Sequence, residues 1–239
     1  MSSAACKILL LDEEVLLRKI LFAVVTLMAL LLAAEVGVTM LGQRGLAAAL
    51  RSEYGLPDNL EARLNSFPLL VSLARNHLAE LQLKWGGDLP VRLAGEDLMV
   101  PYAGSASLYD VEIDMASLLR GRLELRSISR AETLLTIGGA GIAVLGGSGG
   151  SIRIEEGRIY REREGEKIRC RVKVLDENTL ALEEVGGYTA GSGSASGSKP
   201  YMETYEIEGL PMEGRLRKAS VSGESLVIEI SIPKWEGFL

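Results

Sequence analysis

The feature that most constrains the fold is an apolar segment near the start of the chain, RKILFAVVTLMALLLAAEVGVTML, residues 18–41. No charge occurs from Ile20 to Ala34. A helix of about 20 apolar residues spans the hydrocarbon core of a bilayer, so this segment predicts a transmembrane signal anchor. Glu35 lies near its outer end, where we expect the carboxylate to reach the interface. Two alternatives stay open: a buried core helix, and a signal peptide with LLAAE as a weak cleavage site.

Basic residues predict the orientation of this anchor. Arg18 and Lys19 abut the apolar segment directly, whereas the arginines that follow it lie further away. Positive residues beside a span stay on the cytoplasmic side. We therefore expect residues 1–17 inside the cell, 18–41 in the membrane and 42–239 outside as one extracytoplasmic domain.

Beyond residue 58 the apolar pattern changes to a period of two. In KIRCRVKVL, apolar side chains share one face and cationic ones share the other; the apolar set is Ile168, Cys170, Val172 and Val174. LEARLNS, YDVEID, RLELRSI, SIRIEE, RIYRE and LVIEISI alternate similarly. Such alternation predicts six to nine half-buried antiparallel strands. The predicted fold class is α+β, mainly antiparallel β, behind one N-terminal transmembrane helix. Cys170 is predicted to be a buried free thiol.

The stretch FPLLVSLARNHLAELQL, residues 67–83, combines a proline-led apolar run with a strand-like end. Pro68 suits the first position of a helix. We predict a short helix over Leu69–Asn76 and a strand over Ala79–Trp85. A single helix that continues through Leu83 is the alternative.

Two glycine-rich stretches interrupt the strands. GGAGIAVLGGSGG, residues 138–150, is predicted to form either a short amphipathic helix or a flexible loop, and it can move or contact lipid. It lacks the residues of a phosphate-binding loop. GGYTAGSGSASGSKP, residues 186–200, is predicted to be a long, flexible hairpin connection.

The sequence carries no reaction signature. With a single histidine and two cysteines, the chain has no catalytic triad and no clustered metal ligands, so we expect no enzyme activity, cofactor or metal. The acidic side chains of YDVEID are interpreted as a solvated strand face rather than as a cation site. The net charge of −6 is spread along the chain, and we expect no nucleic-acid partner.

The order of these elements resembles the LmeA-like family of bacterial cell-envelope phospholipid-binding proteins, from about Gly45 to Ile232. The similar blocks are GLAAALRSEYG, FPLLVSLARNHLAELQLKW, SLYDVEIDMASLLRGRLELRSISRAETLLTI and YEIEGLPMEGRLRKASVSGESLVIEI. The chain departs from the family in the apolar stretch IGGAGIAVLGG and in the glycine–serine loop.

The resemblance implies a curved antiparallel sheet wrapping a helix, as in tubular lipid-binding proteins. It also implies a phospholipid partner, a place at the bacterial cytoplasmic membrane, and a role in envelope lipid or glycolipid metabolism. The side chains expected to contact lipid are Phe67, Leu69, Leu70, Leu73, Leu210, Pro211 and Met212. For each of them packing in a solid core is the alternative, and a non-enzymatic structural or interaction protein is the alternative function.

Overall fold

The structure is a computed structural model. It describes residues 3–54, 56–66, 68–114, 117, 125–147, 150–163, 165–185 and 201–233, and it describes their side chains except those of 3–17, 53, 54, 69, 70 and 73. Phe67 and the glycine–serine loop 186–200 lie outside the described residues.

The described elements are three helices, eleven strands and one 3₁₀ turn. In chain order they are α1 Ser3–Tyr54, β1 Glu61–Leu64, α2 Leu69–Ala74, β2 His77–Leu93, β3 Glu96–Ile113, β4 Leu125–Ile137, α3 Gly139–Leu145, β5 Ser151–Glu155, β6 Arg158–Arg163, β7 Glu166–Val174, β8 Thr179–Glu184, β9 Met202–Ile207, the 3₁₀ turn Pro211–Glu213, β10 Arg215–Ser222 and β11 Ser225–Ser231.

Helix α1 joins an exposed apolar segment to a buried end. It runs without interruption for 52 residues, and every side chain from Ile20 to Ala34 is exposed. It is long and apolar enough to cross a membrane. Its last turns belong to the hydrophobic core through Leu46, Ala47, Ala49 and Leu50. The same helix can therefore serve as an anchor and as a core element.

Glu35 lies where protein begins to cover α1, and its expected place near the membrane interface stays a prediction. It is only 8 % exposed. The rest of the chain begins to cover α1 near this point, since Val38 packs against the core and Gly42 approaches Leu64. The carboxylate is thus enclosed by protein instead of projecting from an isolated helix.

The strands form one antiparallel sheet in the order β10-β11-β4-β3-β2-β9-β8-β7-β6-β5, with β1 added beside β2. The sheet curls into a nearly closed barrel, and β10 comes to lie against β7. This confirms the predicted α+β class with mainly antiparallel strands.

The long β2–β3 hairpin runs through both halves of the barrel, which we call the anchor half and the cavity half. The anchor half holds the buried end of α1, α2, β1 and the first half of β2, where Glu61 pairs with Lys84. The cavity half holds α3, strands β5–β9 and the end of β2, where Leu93 pairs with Tyr205. At about 3.3 Å per residue, these two pairings lie about 30 Å apart along β2.

Most local predictions are confirmed, with longer strands than expected. Helix α2 covers Leu69–Ala74, and β2 begins at His77, so the single-helix alternative for residues 67–83 is wrong. The described sheet has eleven strands rather than six to nine. Strands β2 and β3 are also longer than expected, because they continue through Gly86, Pro90 and Pro101. Glycine and proline are typical of turns, so their presence within β2 and β3 made the length of these strands hard to predict from the sequence.

Candidate functional site

The cavity half encloses a fully apolar cavity. Its lining comes from α3 and from the inward faces of the surrounding strands: Val91, Ile137, Ile142, Leu145, Ile152, Ile159, Val172, Leu180, Ala181, Leu182, Tyr205, Ile207 and Leu226. The free volume is about 30 Å³. That is a small fraction of the roughly 150 Å³ of an engineered apolar cavity that holds one benzene molecule. In this conformation the side chains nearly fill the interior, so a larger apolar ligand requires a lining element to move.

Helix α3 covers this cavity as a short, separate segment. Its buried residues are Gly141, Ile142 and Leu145, and the last two line the cavity. Glycines flank it on both sides, and no side chain caps its first turn. The helix alternative for residues 138–150 is thereby confirmed. Ile142 and Leu145 hold this seven-residue helix against the sheet, and Val144 packs against the same core.

A buried polar cluster lies at one end of the cavity. The Tyr205 ring lines the cavity, and its hydroxyl donates a hydrogen bond to Glu203 at 2.6 Å. Glu203 also accepts two hydrogen bonds from Arg161, at 2.8 and 2.9 Å. Arg161 lies beneath the Tyr201 ring, with its guanidinium carbon 5.6 Å from the ring centre. Within this cluster the charges of Arg161 and Glu203 compensate each other inside the barrel, and the cavity wall stays apolar.

Burial controls the ionisation of the groups in this region. Desolvation raises the pKa of the Cys170 thiol to about 11, and the nearby Glu184 charge adds to the effect. Desolvation also raises the pKa of Tyr205, assisted by its hydrogen bond to Glu203. Both groups are therefore neutral at physiological pH. Cys170 is a buried free thiol, as the sequence predicted.

The sequence-predicted lipid contacts fall in two places. The backbone of Leu69, Leu70 and Leu73 forms α2, which packs against α1 and β2 in the anchor half, and their side chains lie outside the described set. Leu210 and Met212 are buried in the hydrophobic core, and Pro211 is half-buried. None of these last three lines the apolar cavity.

The cavity residues that sequence reasoning did not single out belong to two patterns. Ile142 and Leu145 lie three positions apart in the glycine-rich stretch, which is helical spacing. Ile152, Ile159, Val172 and Leu182 are the apolar members of alternating strands. The alternation identified their face correctly, but it could not show that these strands meet around one enclosed space.

The acidic side chains of YDVEID engage neighbouring basic groups. Asp110 lies 3.7 Å from His77, and Asp114 lies 3.6 Å from Arg126. Within the described ranges, no group of three histidine, cysteine or acidic residues could hold a metal ion. The barrel, its apolar interior and the buried Arg161–Glu203 ion pair together define the fold class, which is an antiparallel β-barrel with an apolar core.

Comparison with known proteins gives the family. The model of the LmeA-like phospholipid-binding family matches residues 33–231, so the chain belongs to that family. Searches of curated proteins and of solved structures found no significant match. The resemblance inferred from the sequence is confirmed, and with it a lipid as the class of ligand.

Proposed function

We propose that this chain is a membrane-anchored, non-enzymatic phospholipid-binding protein whose cavity half takes up an acyl chain. The observation that carries the proposal is the fully apolar lining of the cavity beneath α3. Membership of the phospholipid-binding family supports it. The acyl chain would replace Ile142 and Leu145 against the inner face of the barrel.

Replacing Ile142 and Leu145 by an acyl chain is energetically favourable for an ordinary lipid taken from water. Exposing Ile142 and Leu145 costs about 3–6 kcal/mol, at about 1.5–3 kcal/mol for each side chain. Each buried methylene contributes about 0.8 kcal/mol, so about eight methylenes offset that cost. Relative to lipid in water, longer acyl chains therefore bind with a net gain and need no specific polar contact. A chain drawn from a bilayer gains little from burial, because lipid tails are as apolar as the cavity wall.

The anchor places this lipid site at a membrane. We propose that residues 18–41 span the bacterial cytoplasmic membrane with the N-terminus inside and residues 42–239 outside. The exposed apolar surface of α1 from Ile20 to Ala34 supports the span, and Arg18 and Lys19 beside it support the orientation. An extracytoplasmic, membrane-held lipid container is suited to envelope lipid or glycolipid metabolism.

The predicted lipid contacts in the anchor half and at residues 210–212 remain part of the proposal. Helix α2 packs against α1, which carries the proposed anchor, and Phe67 precedes α2 in the chain, so this region is close to where a lipid would leave the bilayer. Leu210, Pro211 and Met212 follow β9, which carries Tyr205 and Ile207 in the cavity wall. We propose that both groups contact lipid during its transfer, before the acyl chain reaches the cavity.

One observation favours the rival function of a structural or interaction protein. The cavity of about 30 Å³ is small enough for the interior to act as a solid core. A matched pair of variants separates the two functions. Val172 and Val174 share the inward face of β7 and are both half-buried, but only Val172 lines the cavity.

The experiment is native mass spectrometry of the full chain released from detergent micelles after purification from membranes. We expect the parent protein and Val174→Phe each to carry one more bound phospholipid than Val172→Phe, in which the phenylalanine fills the cavity. Circular dichroism confirms that both variants fold. Equal lipid retention by both variants, or a lipid-free parent that takes up no added phospholipid, would favour the solid-core alternative.

A further inference from the structure

A second groove lies in the anchor half, between α1 and β1. Met40, Arg44, Ala47 and Arg51 form one stripe along α1 and face Ala62 and Arg63 of β1. The groove has a volume of about 450 Å³ and is open to solvent. It is thus separate from the enclosed cavity, which lies about 30 Å further along β2.

The two walls of this groove run in opposite directions. Arg51 donates a hydrogen bond to the Leu60 carbonyl oxygen at 2.9 Å, while Gly42 lies beside Leu64. Arg63 is therefore nearer the Arg44 end of the groove than the Arg51 end. This antiparallel arrangement places the Arg63 position of β1 towards the end of the groove where Arg44 lies, next to the apolar part of α1.

The charge of the groove favours an anion. Three arginines line it against one carboxylate, Glu61. Glu61 neutralises Arg63 weakly, because the two groups are 3.6 Å apart and both are more than half exposed. Arg44 makes no ion pair within the described part of the chain. The Arg51 Nε is buried and has no hydrogen-bond acceptor among the described side chains and backbone.

The position of the groove relates it to the bilayer. Arg44 follows Leu41, the last residue of the apolar segment, by about 4.5 Å along the helix axis. A headgroup layer extends about 5–7 Å beyond the hydrocarbon on each side. Met40, one turn before Arg44, is 59 % exposed and continues the apolar surface into the groove. The groove therefore offers an apolar floor at hydrocarbon depth and cations at phosphate depth.

We infer that this groove binds the phosphate of an anionic phospholipid in the outer leaflet, with an acyl chain along Met40. Arg44 and Arg63 contact the phosphate oxygens, and Arg51 adds positive potential from the far end. A phospholipid without a cationic headgroup fits best, because an ammonium group would meet the same arginines. The inference rests on the proposed anchoring of α1, but not on lipid in the barrel.

The test uses the full chain carrying Val172→Phe, so that lipid in the barrel does not contribute. The protein is placed in nanodiscs of phosphatidylcholine with a minority of phosphatidylglycerol, and native mass spectrometry counts the lipids that stay bound. The test variant adds Arg44→Gln and Arg63→Gln. The matched control adds Arg169→Gln and Arg171→Gln, which remove two exposed arginines from β7.

We expect the Val172→Phe protein and the control to retain one phosphatidylglycerol, enriched about tenfold or more over its share of the bilayer. That is the order expected for two basic side chains at an anionic surface. The Arg44→Gln/Arg63→Gln protein should lose most of this enrichment. Equal enrichment in the test and control proteins would contradict lipid binding in the groove, but it would not contradict the anchoring of α1. A chain that fails to enter nanodiscs would contradict both lipid binding in the groove and the anchoring of α1.

Discussion

Arg161 and Glu203 form a bidentate ion pair inside the barrel, across 42 residues of sequence, with N–O distances of 2.8 and 2.9 Å. Removing one partner leaves a buried charge without compensation, which costs about 3–5 kcal/mol. We therefore predict that Arg161→Met and Glu203→Leu each lower the free energy of unfolding by that amount. Chemical unfolding of the full chain in micelles, followed by circular dichroism, measures the change.

The double variant Arg161→Met/Glu203→Leu is the control for this pair. Replacing both charges by apolar side chains of similar size removes the desolvation cost together with the attraction. We expect the double variant to be more stable than either single variant. Additive losses in the double variant would contradict a direct, buried interaction.

The pH dependence of stability provides a second prediction. Burial raises the pKa of Cys170 from 9.0 to about 11 in the folded protein. The unfolded chain then loses the thiol proton before the folded one does, so stability is complete below pH 9 and falls as the pH rises towards 11. Cys170→Val should reduce this alkaline loss. Parallel stability curves for the parent and Cys170→Val between pH 9 and 11 would contradict the prediction.

Two glycines of α3 should respond oppositely to alanine. A Cβ at Gly141 would lie 2.5 Å from the Ile137 side chain and 2.6 Å from the Pro101 carbonyl oxygen. Gly141→Ala should therefore loosen α3, at a cost of about 1–3 kcal/mol. Gly139 has open space around it, so Gly139→Ala should leave α3 in place. Hydrogen exchange of residues 139–145 measures both, with faster exchange expected for Gly141→Ala alone.

Gly104 should be needed for the packing of Trp85. A Cβ at Gly104 would lie 2.2–2.6 Å from three atoms of the Trp85 ring. Gly104→Ala should therefore displace the indole, shift its fluorescence to the red and destabilise the protein by about 1–3 kcal/mol. Gly45→Ala, in open space on α1, is the control and should leave the fluorescence unchanged. An unshifted spectrum for Gly104→Ala would contradict the packing described.

The local fold could largely be predicted from the sequence because its patterns are physical. The alternation in KIRCRVKVL placed Cys170 on the inner face, and the apolar residues of LVIEISI are buried at Leu226, Ile228 and Ile230. The pairing of β8 with β9 likewise confirms a hairpin around the glycine–serine loop. The length of β2 could not be predicted, because the strand continues through Gly86 and Pro90.

The candidate site was harder to predict, because it depends on contacts distant in sequence. Ile142 and Tyr205 line one cavity although they are far apart in the chain. The apolar–polar pattern of the sequence also does not predict the Arg161–Glu203 pair, because an arginine on a strand is normally a surface residue. The family resemblance supplied the ligand class, which no pattern of residues could have given.

The central claim is that a phospholipid acyl chain enters the barrel beneath α3. The most direct test reconstitutes the full chain in nanodiscs with a phospholipid carrying a photoreactive group near the end of one acyl chain, and maps the labelled peptides. We predict labelling of α3 and of β7–β8, around Ile142, Val172 and Leu182, in addition to the anchor. Labelling confined to residues 18–41 would contradict the account and leave the barrel as a solid core.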